Sequence, residues 1–600
     1  MKKIFAYQVI LLLLSLSFIV ASCGDDEPIV SIITEDYWGE PEDDGPDFFA
    51  RVLVDGIEYR LFLNGEAELF RMSDYWARGG VVIPKKITYT ESGKKYPVTS
   101  IADKAFANCS ISSVIIPEGV KSIGNNAFDN CLFLKSASIP NSVKSIGKRL
   151  FIGCRDLQTV TLSENITSIN EETFSKCYNL ESIIIPKNVT KIGNYAFSNC
   201  ASLTSIIIPE SVKSIGEMAF VECRNITSVT IPGNVTNIGP GAFSGCQGLT
   251  SVNLEDGLTH MGTGIFSGCT SLKSITIPNS VTHIDGAAFV GCNSLVSVTL
   301  PDGVTSIEGG AFSGCSALTS INIPNRVTSI GGGTFYNCSS LTSINIPDGV
   351  TNISENTFYG CSGLKKVEYA SIEHFCKMLY GNSYSNPLCY AKHLYVNGEE
   401  VRNIVVPNAM TNIGDYVFQG GSNLTSITIP DGVTSIGDGA FSGCSGLTSI
   451  TIPDGVTSIG DGAFSGCSGL TSINIPSRVT SIGDGTFSSC SGLTSIDIPD
   501  GVTSIGGSAF SGCSKLISVI IPDGVTSIED YTFKECTRLK SVNIPSLVTN
   551  IGMFSFYKCE ALRSIVIPKG VKFIGTCAFY GCNYLMQVTC MAETAPAMGG

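Results

Sequence analysis

From Phe106 to Cys582 the apolar residues return at a fixed phase. A leucine is followed by two isoleucines separated by one polar residue, then a valine, another isoleucine, and commonly Ala-Phe-x-x-Cys. The Phe-x-x-Cys close is the sharpest marker. It runs from Phe106 with Cys109, Phe128 with Cys131 and Phe151 with Cys154 to Phe579 with Cys582, twenty times in all, with Gly421 alone replacing the cysteine. The step is 22 residues once and 23 thereafter within each block. Self-similarity at a period of a few tens of residues predicts a solenoid, in which each repeat is one supersecondary unit.

Leu424–Gly446 shows how one unit closes. Ile427 and Ile429 alternate with Ser426 and Thr428, which predicts a short strand with one face in and one out. Pro430-Asp431-Gly432 turns the chain, because proline has no ladder donor and Asp-Gly tolerates turn dihedrals. Val433 and Ile436 return inward, Gly437-Asp438-Gly439 turns again, and Ala440, Phe441 and Cys444 fill the remaining side. No coil can bury that centre alone, so the repeats must stack. Leu447–Gly469 repeats Leu424–Gly446 residue for residue, which points to a function spread over an array rather than to a unique catalytic centre.

The predicted fold is mostly β: a solenoid of stacked 23-residue coils with a parallel sheet, a small N-terminal β cap and one inserted island. Residues 48–98 form the cap, since apolar runs such as Arg51–Val54 and Tyr59–Leu63 are separated by the hairpin signals Asp55-Gly56 and Asn64-Gly65. Such a cap covers the hydrophobic end and open edge of the first coil. Repeats fill 99–365 and 403–589. Between them lies the island 366–402, where Glu373–Leu379 reads as a helix and Leu394–Val401 as a hairpin. Residues 590–600 remain as a short C-terminal remnant.

Ahead of the cap, Lys2 and Lys3 precede an apolar run from Val9 to Val20 and small residues ending at Cys23. This is the build of a signal peptide, over residues 1–22, and the run is short of the roughly 20 apolar residues that a spanning helix needs. Val20-Ala21-Ser22-Cys23 resembles the bacterial lipobox, which implies lipidation of Cys23. Gly24-Asp25-Asp26-Glu27 resembles the acidic signal that sends lipoproteins of Bacteroidetes-type bacteria to the outside of the outer membrane. Residues 23–47, rich in Asp, Glu, Pro and Gly, read as an acidic tether. Membrane contact is then expected through the lipid anchor alone. The formal net charge of -14 argues against nucleic acid, which needs a basic stripe.

The chain has 24 cysteines, and in an exported protein that invites a disulfide framework. The repeat cysteines, however, occupy one column at fixed phase. In-register neighbours sit about 4.8 Å apart, wider than the ~3.8 Å Cβ separation of a bridge. They read as buried thiols packing as small apolar residues. Cys376 and Cys389, in the island, are the best placed pair for a bridge. No clustered Cys/His spacing indicates zinc. His260 and His283 are 23 residues apart and should stack in one outward column, either holding a metal ion or standing as a solvated pair. Asp431, Asp454, Asp500 and Asp523 form another column that turn chemistry explains, with calcium as the alternative. No nucleophile elbow, phosphate loop or paired acids stand out, and neither an enzyme nor a cofactor is expected.

Leu-x-x-Ile-x-Ile-Pro, Val-x-x-Ile-Gly and Ala-Phe-x-x-Cys together resemble the BspA-like leucine-rich repeat family of bacterial surface proteins, over Val98 to Val588. The resemblance implies a curved parallel-sheet solenoid displayed on the cell surface, with adhesion to host matrix proteins or other bacteria. Relatives commonly continue with a closing strand and short helix beyond the point where this chain reaches Gly600, so the remnant is expected to be truncated or capped differently. The outward sheet face is the expected binding face. Its columns hold Ser426, Ser449, Ser472 and Ser495 beside Thr428, Thr451, Asn474 and Asp497, small and polar. The leading expectation is an adhesin-like scaffold for extracellular or host matrix proteins, and the alternative is glycan capture for nutrient uptake. Asn, Asp and Ile mixed into the outward column argue against an ice-ordering threonine lattice.

Overall fold

A 23-residue coil has three sides to bury and three runs of backbone to satisfy, and both demands are met by the coils on either side. In the computed structural model, which describes residues 48–73 and 79–599, each coil is one turn of chain closed around its own apolar side chains. Leu424, Ile427, Ile429, Val433, Ile436, Ala440, Phe441 and Cys444 are all buried, in the order expected from their phase. The described residues divide into two compact units, parted between Tyr178 and Asn179.

In the first unit, strands Phe48–Val54, Ile57–Phe62 and Ala67–Met72 form an antiparallel meander. Its first turn is Asp55-Gly56, both residues at positive φ as that dipeptide predicts. The cap is not antiparallel throughout. Ala67–Met72 pairs in parallel with Lys94–Ile101, which continues to Ser122–Ile123 and Ser145–Ile146, while Gly80–Val82 pairs in parallel with Ser113–Ile115. The cap therefore hands the coils two strands already running in their direction, which local turn signals cannot reveal. Phe106, Phe128 and Phe151 then stack at centroid separations of 5.1 and 5.2 Å.

In the second unit, the strand Ser426–Thr428 pairs in register with Asn403–Val405, as the alternation predicts. A second parallel sheet runs through Ser435–Ile436, flanked by Asn412–Ile413 and Ser458–Ile459. Two residues per coil are too few to show as alternation in the sequence. On these two sides N–H groups reach both neighbours: those of Thr425 and Thr434 point to Arg402 and Thr411 of the preceding coil, both at 2.8 Å, and that of Val406 points to Thr428 of the following one at 3.0 Å. On the third side they point forward: Gly439 donates to Asp461 at 2.8 Å, Phe441 to Ala463 at 2.7 Å and Gly443 to Ser465 at 2.7 Å. Each coil thus satisfies backbone groups on both neighbours.

The island is one enlarged coil. A helix occupies Ile372–Cys376, capped by the Ser371 hydroxyl accepting from the His374 N–H at 3.0 Å, and the expected hairpin pairs Leu394–Val396 with Glu399–Val401. A second short helix, Leu388–Ala391, was not indicated by the sequence pattern. Lys366–Tyr369 pairs with both Ser343–Ile346 and Leu394–Val396, so the outward sheet enters the island. The backbone ladder then stops and the core carries on. Phe375 stands between Tyr369 at 5.0 Å and Phe418 at 5.6 Å, and the buried Asn386 amide donates to the Tyr416 and Val417 carbonyls at 2.7 and 2.9 Å. At the far end, Ala597–Met598 pairs in parallel with Phe573–Ile574, so the remnant carries a strand of its own.

The third corner of the coil holds Phe-x-x-Cys. Phe441 is fully buried and stacks on Phe418 and Phe464, each at 5.1 Å. Its carbonyl accepts twice: from the Cys444 N–H of its own coil and from the Cys467 thiol of the next, both at 3.1 Å. The repeat cysteines form no disulfide, and the pair Cys376 and Cys389 is not bridged either. Burial pushes the thiols of Cys444 and Cys490 up to about 12, which keeps them protonated and able to donate.

Replacing Phe441 with alanine removes a buried ring and should cost about 3–5 kcal/mol, with protease sensitivity and rapid hydrogen exchange confined to neighbouring coils. Thr428→Ala, on the exposed face, should stay within roughly 0.5 kcal/mol. Limited proteolysis and hydrogen exchange on the two variants decide whether inside and outside are assigned correctly. Mass-resolved alkylation of the native protein should modify the exposed Cys577 and Cys590 quickly and the repeat column only after unfolding. Rapid native modification of Cys444 or Cys467 would show that the column is not held closed.

Candidate binding face

Along the outward sheet, Ser426, Thr428, Ser449, Thr451, Ser472, Asn474, Ser495 and Asp497 are all exposed, as the alternation requires. Regular pairing fades across them, leaving the isolated bridges Thr428 to Thr451 and Asn474 to Asp497. Part of the polar surface is already engaged between coils. The Ser426 hydroxyl donates to Asn403 Oδ1 at 2.8 Å, and the hydroxyls of Thr425 and Thr494 donate to carbonyls of the preceding coil at 3.3 and 3.2 Å. Asn474 and Asp497 do come together, lining a shallow open depression with Asp454, Pro476 and Pro499.

The isoleucines that the sequence mixes into this outward column stand as large apolar residues among its small polar ones. Ile184 and Ile207 occupy the Thr428 position of two successive coils and are 76% and 79% exposed. Val405 and Ile520 stand alone in theirs and are also exposed. Two β-branched side chains side by side, left in water, make an apolar patch on this face, and in the first unit Val82 and Ile115, paired in register and both exposed, make another. The signal was available in Ser-Ile-Ile-Ile-Pro, where the outward position breaks the polar alternation twice in a row.

In the first unit a second depression is lined by Asn108, Ser110, Asn130, Leu132, Phe133 and Arg155. Its origin is the single 22-residue step. The first coil has only Ser110 between Cys109 and Ile111, where the next has Leu132-Phe133 between Cys131 and Leu134. The missing residue leaves a notch against which the longer turn stands exposed.

The other candidate columns resolve into packing. His260 and His283 stack as expected, rings 4.4 Å apart and 12° from parallel. The in-plane lone pairs of stacked rings run alongside one another and do not converge on one ion. Thr282 Oγ1 lies 2.8 Å from His283 Nδ1, and Asp285 Oδ1 lies 3.5 Å from His260 Nδ1. Asp431, Asp454, Asp500 and Asp523 are exposed turn residues. A different aspartate column is structural: Asp415, Asp438 and Asp461 each accept, at 2.8 Å, the N–H of the aspartate in the following coil. Among the described residues, no group of three or more His, Cys, Asp or Glu side chains is placed to hold a metal ion. Cys23 lies outside the described residues. No helix among those described is long and apolar enough to cross a membrane.

Comparison with protein families matches the BspA type leucine rich repeat region over residues 94–201, 167–296, 262–386, 391–517 and 503–594. Among solved structures, a leucine-rich repeat protein from Bacteroides ovatus is 25% identical, with 79% of this chain and 94% of that chain covered and a TM-score of 0.36. The leucine rich repeat protein of T. pallidum is 29% identical over 36% of this chain and 88% of its own, with a TM-score of 0.28. A leucine rich cell surface protein from Faecalibacterium prausnitzii is 24% identical over 92% and 97%, with a TM-score of 0.23. Comparison with curated proteins gives no match. The family match spans the residues over which the coil recurs, island included but for four positions, and the chain belongs to the BspA type leucine-rich repeat family.

Proposed function

We propose that this chain is a cell-surface lipoprotein, anchored through Cys23, that binds extracellular proteins or other cells through the outward sheet of its solenoid. The observation that carries the reading is the exposed pair Ile184 and Ile207, set in a polar column that continues coil after coil. Contiguous apolar side chains in water mark protein contact surfaces, and a few buried anchors within a polar surround carry most of the energy of such contacts. The array supplies the rim, the isoleucines the centre. The lipobox-like Val20–Cys23 and the acidic stretch to residue 47 support display outside the outer membrane, where host matrix proteins are within reach.

Arrays of host matrix proteins and polysaccharides, probed with the mature chain, test this reading. Binding to one or more matrix proteins is expected, weakened about tenfold or more by the double change Ile184→Ser and Ile207→Ser. Both positions are solvent-exposed, so folding should be unaffected. Turnover of a bound ligand would sink the scaffold reading. For the anchor, Cys23→Ala should leave an unlipidated precursor, because the thiol is the acceptor at the cleavage junction. Labelled fatty acid that still enters the variant would refute it.

A further inference from the structure

The residue after the core phenylalanine lies at the third corner, and in half of the coils of the second unit it is serine, as at Ser244, Ser267, Ser313, Ser442 and Ser465, while near the C-terminal end it is a stacked tyrosine pair, Tyr557 and Tyr580, 5.6 Å apart. Beside the island it is tyrosine twice running. Tyr336 and Tyr359 stack at 5.0 Å and 13°, and Tyr384 from the island meets Tyr359 at 4.9 Å, turned by 79°. The three rings are 37%, 38% and 43% exposed. Together they form an aromatic ladder on a side of the coil remote from the outward sheet. On its other side the ladder ends abruptly. The Gly314 N–H donates to the Tyr336 carbonyl at 2.7 Å, which sets Ser313 and Gly314 of the preceding coil in register beneath Tyr336. A hydroxymethyl and a hydrogen cover less of a phenol ring than another tyrosine would, and the part of the Tyr336 ring beyond this shelf of small residues stands in solvent.

The rim is made of neutral amides. Asn337 lies across Gly360 so closely that a Cβ there would clash with its Oδ1, and its side chain makes no hydrogen bond among the described residues. Asn382 donates to Asn356 Oδ1 at 3.0 Å, which leaves the Asn356 NH2 free. Asn386 and Ser385, behind them, are fully buried and fix the island loop that carries Tyr384. An open aromatic face takes a flat partner with weakly positive C–H groups, and side-chain amides each offer a donor and an acceptor suited to vicinal hydroxyls. We propose that Tyr336, Tyr359 and Tyr384, with Asn337 and Asn356, form a binding site for a neutral glycan, one pyranose ring stacking on Tyr336 over Ser313. This site shares no residue with the protein-binding face.

Cellohexaose and chitohexaose, titrated into the full mature chain by calorimetry and observed by saturation-transfer NMR, are the probes. At least one should bind, its ring C–H protons receiving saturation from tyrosine. Tyr336→Ser and Tyr359→Ser restore the residue that other coils carry at this position, so the variants should fold as the parent does. Each should weaken binding about tenfold, whereas Tyr359→Phe keeps the ring and the affinity. Ile207→Ser should leave saccharide binding unchanged and so separates the two sites. No binding of either saccharide at millimolar concentration, or binding indifferent to both serine variants, overturns the proposal. So does a result in which the serine variants lose a protein partner and not a saccharide.

Discussion

Everything in this molecule depends on the phenylalanine carbonyl at the third corner of each coil. Two sides of the coil are held by parallel strands, but the third has no strand and must turn sharply through Phe-x-x-Cys. There the carbonyl accepts the cysteine N–H that closes its own turn and the thiol of the following coil, as at Phe441 with Cys444 and Cys467. One oxygen therefore closes a turn and joins two coils. An uncapped carbonyl at this depth would cost about 1–3 kcal/mol, repeated at every corner. The small thiol fits beneath the phenylalanine stack and is a weak donor that burial keeps protonated. Serine would supply a stronger donor but would place a hydroxyl in an apolar corner, and alanine would leave the second lone pair empty.

The same corner settles how far damage and information travel. Each ring touches the rings directly above and below, at about the same separation throughout the second block, and each coil exchanges backbone bonds with its two neighbours only. Stability is then a sum over neighbouring coils. The island tolerates a missing stretch of backbone ladder because Phe375 and Asn386 replace it with a ring contact and two side-chain hydrogen bonds. An insertion that kept the ladder and lost those two residues would open a gap in the core.

How much of this is legible in the sequence follows the range of the interaction. The inward phase of Ile427, Ile429, Val433, Ile436 and Phe441 is local periodicity, and every one of them is buried. Asp55-Gly56 and the island hairpin are local turn chemistry and were readable for the same reason. The second sheet through Ser435–Ile436 was not, because two residues show no alternation. The parallel strands of the cap, the reach of Asn386 across some thirty residues, and the meeting of Tyr384 with Tyr359 all depend on which distant segments become neighbours. Of the eight serine, threonine, asparagine and aspartate positions on the outward face, exposure was readable from phase. That Asn474 and Asp497 share a depression was not.

Function in a repeat array has to be sought where the repeat is broken at positions that packing leaves free. A core position such as Phe441 has its residue dictated by neighbours on all sides, so its identity reports on the fold alone. At an outward position the fold is satisfied by serine or threonine, as at Thr428 or Ser313, and a larger apolar residue there adds exposed surface without adding a buried contact. Ile184 with Ile207, and Tyr336 with Tyr359, are such departures on adjacent coils. Adjacency matters because stacking in register turns two isolated substitutions into one continuous surface about two coils wide, roughly 10 Å at strand spacing. That is the width of a side chain seated between isoleucines or of a sugar ring laid beside tyrosine. Single departures such as Val405 and Ile520 give no such surface and are the ordinary scatter of apolar residues on a protein exterior.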